Sequence, residues 1–404
     1  MSTAAGRRLR IAYVYDALYP YLLGGGERRY RELAQRLAQR HEVHYFSWQF
    51  WDGPADRTED GIFLHGVGPP PVMYGADGKR TVREALGFAA RLLSGVREGR
   101  FDIIDCSATP YLPLYGCWLA ARLSATPMVT TWHEFWGEHW GEYLNNRPVV
   151  ARLARSIEAS AVRLGGRHVA VSAFTADRLV AAGLRAERVC VVGNGLSLDA
   201  FERVSPPAAA SDLVFVGRLI EDKRVDLVIE AVARLRQAFP ALRCLIIGDG
   251  PERRTLEALV AERDLRDQVQ FLGWVGEAEK IALLKSSQIL VLPSVREGFG
   301  IAAIEGQAAG LVPVVARGPH SAAPTLVRDG VDALVCDPLP GSLSAALRSL
   351  LADPARMSVM QAAAAQAARA WDWDLVARQM EELYLEAARP VEPIRTGSRS
   401  LSWR

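Results

Sequence analysis

The sequence predicts an α/β protein built from two doubly wound, Rossmann-like domains that face each other across a cleft. Three observations carry that expectation. Short β-branched runs alternate with amphipathic helical patterns from end to end, the signature of parallel sheets covered by helices on both faces. The alternation breaks at VSPPAAAS, where two prolines and three alanines without periodicity mark a linker, and then restarts. The 404 residues suit two or three domains at about 150 residues each.

The first domain is placed at residues 1–203. Strands are expected near 9–15, 42–47, 62–66, 102–106, 127–132, 167–171 and 188–192. Helical patterns fall between them, for example over 26–40 and 149–164. In the latter, Leu153, Ile157, Ala161 and Leu164 recur at helical spacing. After the linker at 204–211, the second domain is placed at 212–372. Its strands are expected near 212–216, 243–247, 269–272, 289–292, 312–316 and 333–335. Its helices are expected near 224–238, 252–263, 277–286, 300–309 and 342–352. A last helical pattern at 373–388 could pack on either domain, the N-terminal one included. The Pro-, Ser- and Arg-rich tail, 389–404, is expected to be disordered.

Composition excludes several classes. Half of the residues are hydrophobic, enough for real cores, so a mainly disordered chain is out. The 48 basic residues against 46 acidic ones leave a formal charge of +2, with no global field to gather nucleic acid. The longest apolar runs, Ile289 to Pro293 and Leu311 to Ala316, fall far short of the ~20 residues of a transmembrane helix. Arg7, Arg8 and Arg10 precede an apolar stretch, but Asp16 interrupts it and no small-residue cleavage site follows, so no signal peptide is read. The five cysteines (Cys106, Cys117, Cys190, Cys244 and Cys336) are odd in number and widely spaced, without a CxxC. That pattern fits reduced, buried thiols in a cytoplasmic protein.

In doubly wound sheets ligands bind beyond the carboxyl ends of the strands, so residues just after strands in both halves come first. Gly24-Gly25-Gly26-Glu27 follows strand one and opens a helix. Glycines admit a ligand close to the backbone, and the helix N-terminus suits an anion; a plain turn explains the run equally well. Gly217-Arg218-Leu219 with Lys223 follows the first strand of the second domain. An arginine fork and a lysine suit a diphosphate, whereas Glu221 and Asp222 between them also fit a solvated turn. Glu297-Gly298-Phe299-Gly300-Ile301-Ala302-Ala303-Ile304-Glu305 places two carboxylates around bared amides at a helix start. Either carboxylate could accept bonds from a sugar diol. His133 follows strand 127–132 within an aromatic stretch, Trp132 to Trp140. It is not part of an HExxH, since the next histidine, His139, comes six residues later. On a helix those rings would lie far apart, so no metal is expected. Ser172 and Asn194-Gly195 also end strands. No GxSxG nucleophile elbow and no GxGxxG occur.

Together these motifs resemble the retaining glycosyltransferases of family 4, which have the GT-B fold. GGGE at 24–27, VSAFT at 171–175, NG at 194–195, GRLIEDKRVD at 217–226, IIGDGPER at 246–253 and EGFGIAAIE at 297–305 fall in the family's order. The last is the family's E-x7-E signature, and the likeness runs over roughly 9 to 388. The resemblance implies a hexose-type sugar moved from a nucleotide-diphosphate sugar to an acceptor hydroxyl, without metal or further cofactor. It implies an acceptor-binding N-terminal domain and a donor-binding C-terminal one. It further implies that Arg218 and Lys223 hold the diphosphate, Glu305 the ribose and Glu297 the sugar hydroxyls. The amides of Gly298, Phe299, Gly300 and Ile301 would lie near sugar and phosphate, with His133 beside the transferred sugar. Gly25, Gly26 and Gly217 would line the donor cleft, with Ser172 and Asn194 as weaker carry-overs.

Three departures stand out. Arg224 replaces a frequent glycine, Leu196-Ser197 replace Val-Asp, and Gly318-Pro319-His320-Ser321-Ala322-Ala323 replaces a Gly-Gly-x-x-Glu loop. A non-catalytic nucleotide-sugar-binding or scaffold protein on the same fold is the alternative. Against it, His133, Arg218, Lys223, Glu297 and Glu305 are all intact. The acceptor, the base and the oligomeric state stay open. A peripheral contact with the inner face of a membrane would use Arg83, Arg91, Arg97 and Arg100, but Glu84 and Glu98 dilute that stripe and favour a solvated helix.

Overall fold

The computed structural model describes residues 7–22, 24–73, 82–144, 147–207 and 211–389; the tail beyond 389 and three linker residues, 208–210, lie outside that description. In the first half, β1 (Arg10–Val14), β2 (Glu42–Ser47), β3 (Asp56–Glu59), β4 (Ile62–Gly66), β5 (Ile103–Ser107), β6 (Met128–Trp132), β7 (Arg167–Ala170) and β8 (Val189–Val191) form one sheet. Its order is β3-β4-β2-β1-β5-β6-β7-β8, and all pairs are parallel except β3 with β4. Among the described residues the α-helices that accompany it are α1 (Gly25–Leu37), α2 (Val82–Glu98), α3 (Tyr111–Ser124), α4 (His139–Tyr143), α5 (Pro148–Ala161), α6 (Ala173–Ala181) and α7 (Leu198–Arg203).

In the second half, β9 (Leu213–Val216), β10 (Cys244–Ile247), β11 (Val269–Gly273) and β12 (Ile289–Leu292) are followed by a two-residue strand, β13 (Arg296–Glu297). Then come β14 (Val312–Ala316), the short β15 (His320–Ser321) and β16 (Leu334–Cys336). The parallel sheet runs β11-β10-β9-β12-β14-β16, while β13 and β15 pair apart from it. The helices are α8 (Val225–Leu235), α9 (Arg253–Glu262), α10 (Glu277–Lys285), α11 (Ile301–Ala308), α12 (Pro340–Leu351), α13 (Pro354–Ala368) and α14 (Trp373–Ala387).

Each sheet turns its winding direction at its first strand. β1 pairs with both β2 and β5, and β9 with both β10 and β12, so both crevices open beside these strands. The central strands are covered on both faces, which is why Ile11 to Val14 and Ile289 to Leu292 are buried without alternation. A hydrophobic seam joins the halves: Val171, Leu196 and Phe201 pack with Val214, Leu290, Phe299 and Ile304. The chain then crosses back. The amide of Leu196 donates to the Trp371 carbonyl at 2.6 Å and that of Trp373 to the Leu196 carbonyl at 3.1 Å. From there α14 lays Trp373, Val376, Ala377, Met380, Leu383 and Tyr384 against the N-terminal sheet and α1.

Several details differ from the sequence reading. On α5, Ile157 and Ala161, with Leu164 just beyond the helix, pack into the core as expected, but Leu153 is exposed and the buried face also carries the carboxylate of Glu158. On α2, Glu84 does not dilute the arginine stripe: it is buried and accepts from Trp48 Nε1 at 2.7 Å. The stretch after β6 is not helical before His139. All five thiols are free, and only Cys190 is partly exposed. Among the described residues no helix is long and apolar enough to cross a membrane.

Candidate functional site at the interdomain cleft

The N-terminal wall begins where β1 ends. Gly24 caps α1 in an extended conformation, leaving the first-turn amides of Gly25 to Glu27 without partners inside the helix. A side chain at Gly25 would meet open space, so a ligand can approach the backbone there. Gly26 is different: a Cβ there would sit 3.1 Å from Tyr15 Oη and 3.3 Å from His133 Nε2. The glycine lets α1 approach the histidine closely.

His133 leaves the end of β6. Its ring stacks on Tyr15 at 6.2 Å and meets Tyr30 edge-on at 6.0 Å. The residue is partly exposed, yet Nε2 is buried without a partner among the described residues. Burial, with Arg29 nearby, pushes its pKa down to about 3, so the ring is neutral at neutral pH. A neutral imidazole with an unspent nitrogen can exchange a hydrogen bond with a hydroxyl; it brings no charge. The loop behind it is held by Glu158, which accepts from the amides of Trp136 and Gly137 (both 2.7 Å), Tyr111 Oη (2.5 Å) and Trp140 Nε1 (3.2 Å). Gly137, at φ +53°, makes the bend. Sequence reasoning missed Glu158, since nothing in an amphipathic helix marks which carboxylate turns inward.

The C-terminal wall starts after β9. Gly217 is tied to the sheet through its amide to the Ile247 carbonyl, and Arg218 emerges exposed, with no carboxylate partner among the described residues. Five residues on, Lys223 forms a largely buried ion pair with Glu297. Glu297 comes from β13, whose register sets Arg296 opposite His320 and Glu297 opposite Ser321. Neighbouring side chains of a strand point to opposite faces. Glu297 therefore turns to Lys223, while Arg296 turns to the N-terminal domain. Gly300, at φ +98°, caps α11, so Ile301 opens the helix one residue later than the sequence suggested. Glu305 lies one turn in, almost fully buried, and accepts from Lys280 Nζ at 2.8 Å.

The two walls meet at His133. A Cβ on Gly298 would overlap the His133 carbonyl oxygen and lie 3.4 Å from the Glu134 side chain. His133 thus touches a glycine from each domain, Gly26 and Gly298. Ion pairs reinforce the contact. Arg296 bonds Glu134 at 3.1 Å and Asp222 at 2.8 Å, with its guanidinium 4.8 Å over the Trp136 ring. Arg28 of α1 bonds Glu277 of α10 at 2.9 Å.

The weaker sequence candidates stand one step back. Ser172 is buried; its hydroxyl accepts from the Thr175 amide, capping α6, and lies 3.1 Å from the Gly298 carbonyl, to which it donates. It holds the loop. Asn194 Oδ1 accepts from Arg29 at 3.2 Å, and Arg29 also donates to the Gly193 carbonyl. Phe299 packs edge-on against Trp371 at 5.5 Å, so only its backbone can face the cleft. Beneath β1 lies a polar network that no motif announces: Asp105 accepts from Tyr30 (3.0 Å), Thr131 (2.9 Å) and Tyr384 (2.5 Å). Burial raises the Asp105 pKa against these bonds.

A group of metal-ligand type also assembles: single atoms of His139, Glu142 and His320 lie within 4.8 Å of one another. Its polarity is wrong for a cation. Arg178 donates to His320 Nδ1 at 3.0 Å, whereas a metal-bound imidazole donates its other nitrogen to an acceptor.

Two Rossmann-like domains with helix starts, cations and carboxylates converging on one cleft define a glycosyltransferase architecture. The family model described as Glycosyltransferase Family 4 matches residues 23–200, and the one described as Glycosyl transferases group 1 matches 200–371. A D-inositol 3-phosphate glycosyltransferase of Kineococcus radiotolerans is 34% identical over 89% of both chains. A glycogen synthase of Mycobacterium tuberculosis is 28% identical over 75% of this chain and 73% of its own. Among solved structures, the Anabaena protein HepE in complex with UDP and glucose superposes with a TM-score of 0.71. It is 20% identical, over 93% of this chain and 99% of its own. The chain belongs to glycosyltransferase family 4, with the GT-B fold.

Proposed function

We propose that this protein moves a hexose-type sugar from a nucleotide-diphosphate sugar to an acceptor hydroxyl, with retention of anomeric configuration and without a divalent metal or further cofactor. The carrying observation is the convergence at His133 of a glycine-lined helix start from each domain, beside an unpaired Arg218 and the Lys223–Glu297 pair.

Negative charge develops on the departing phosphate oxygen. Arg218 and Lys223, with the first amides of α11, sit where preorganised positive charge would lower that barrier. An incoming diphosphate competes with Glu297 for Lys223. In this reading it draws the lysine away and frees the carboxylate for the sugar's hydroxyls. Glu305 takes the ribose, and neutral His133 takes a sugar hydroxyl. The HepE complexes with UDP and with UDP-glucose support a nucleotide-sugar donor and make UDP the first base to try. The relatives' acceptors differ, so they do not fix this one.

The test is release of nucleoside diphosphate from UDP-, GDP- and ADP-sugars in EDTA, with the product's anomeric configuration read by proton NMR. Turnover in EDTA giving an α-product from an α-donor is expected. A β-product, or strict dependence on added metal, would overturn the corresponding part of the reading.

A further inference from the structure

Glu305 has a companion that no motif names. Lys280 projects from α10, and its ammonium bonds Glu305 Oε1 at 2.8 Å and Glu277 Oε2 at 2.9 Å. The lysine side chain is 14% exposed and that of Glu305 4%. A carboxylate so enclosed stays ionised only with a compensating charge. Burial alone would push the lysine's pKa down; Glu305 and Glu277 outweigh it and hold the ammonium charged. The attachment is one-sided. Among the described residues Glu305 Oε2 accepts no hydrogen bond, and it is not one of the fully enclosed polar atoms. One oxygen is clamped and the other is left to a ligand.

We propose that Lys280 is the positioning residue for ribose recognition. It fixes the rotamer and charge of Glu305 so that the free oxygen accepts from the hydroxyls of the nucleotide. This rests on the reading that Glu305 takes the ribose. Glu277, which ties Lys280 to Arg28 on the opposite domain, shares the lysine but lies outside the pair that reads the sugar.

The experiment compares binding of UDP, GDP and ADP with that of their 2′-deoxy counterparts by calorimetry. The full chain is used as wild type, Lys280→Met, Lys280→Arg, Glu277→Gln and Glu305→Gln. The ratio of ribo to deoxy affinity is the readout, because a loss of folded protein lowers both and cancels. Wild type is expected to favour the ribonucleotide at least tenfold. Lys280→Met should bring the ratio to within about twofold of unity by weakening only the ribonucleotide; Lys280→Arg should restore most of it, and Glu277→Gln should leave it standing. If Glu305→Gln collapses the ratio and Lys280→Met does not, the role of Lys280 is overturned while the ribose reading holds. If wild type does not discriminate, or Glu305→Gln changes nothing, both fall together.

Discussion

At the scale of single residues, the site pairs groups whose charges are used in turn. Lys223 is ion-paired with Glu297, and in the proposed reading an incoming diphosphate displaces the carboxylate. Lys223→Ala and Glu297→Ala should each lower kcat about 100-fold or more while the protein stays folded, the size of effect that follows loss of a transition-state donor. Near-normal turnover in either would remove that residue from the chemistry. The histidines make a different prediction. Burial pushes the pKa of His168 down to about 4 and that of His133 to about 3. An unfolded histidine titrates near ~6.5, so below that pH the unfolded chain binds protons the folded one refuses. Stability should therefore fall as pH drops from about 6.5 to 4. His168 alone contributes about 3 kcal/mol to that loss, and urea unfolding at pH 7 and pH 4 measures it. His168→Gln should flatten this limb. The candidate residues stood out in the sequence because most follow a strand and carry their own chemistry. Their partners did not: Lys280 is 25 positions from Glu305, and only the packing of α10 beside α11 brings them together.

At the scale of elements, glycines and one buried carboxylate set how closely the walls approach. Gly298→Ala would press a methyl group onto the His133 carbonyl, and the cleft must open to relieve it. The expected outcome is a KM for donor raised about tenfold or more with a small change in Tm, read from steady-state kinetics and a thermal melt. Glu158→Ala strips four donors of their acceptor and leaves the amides of Trp136 and Gly137 unmet. A loss of about 2–4 kcal/mol is expected in urea unfolding, with weaker activity because His133 leads that loop. Most elements were readable as apolar runs and helical periods. The exceptions have physical reasons. β3 reads Asp-Arg-Thr-Glu and carries no apolar signal, being an edge strand held by one neighbour. α13, over Pro354–Ala368, is Ala-rich with few large residues, so propensity rather than a stripe makes it helical. β13 and β15 are two residues each, below any periodicity, yet they decide which way Glu297 points.

At the scale of the whole molecule, the two sheets share one unit through the seam beneath the cleft and the return of α14. Trp373 is fully buried against the N-terminal core. Trp373→Ala should cost about 3–5 kcal/mol and lower Tm by roughly 4–6 °C, although the residue lies far along the sequence from the sheet it covers. The linker and the repeated alternation made two domains legible. That the last helix closes on the first domain was left open by sequence, because its apolar stripe fits either sheet. In the proposed function a nucleoside diphosphate binds between these domains, on Arg218, Lys223 and Glu305. The most direct measurement is a thermal shift with UDP, GDP and ADP in EDTA, on wild type and on the Arg218→Ala/Lys223→Ala double variant. A ligand at about 100 times its Kd stabilises by roughly 2.7 kcal/mol, a rise of several degrees. That rise is expected with at least one nucleotide in wild type, and its loss in the double variant. No shift with any nucleotide, or an undiminished shift in the double variant, would contradict the proposed function.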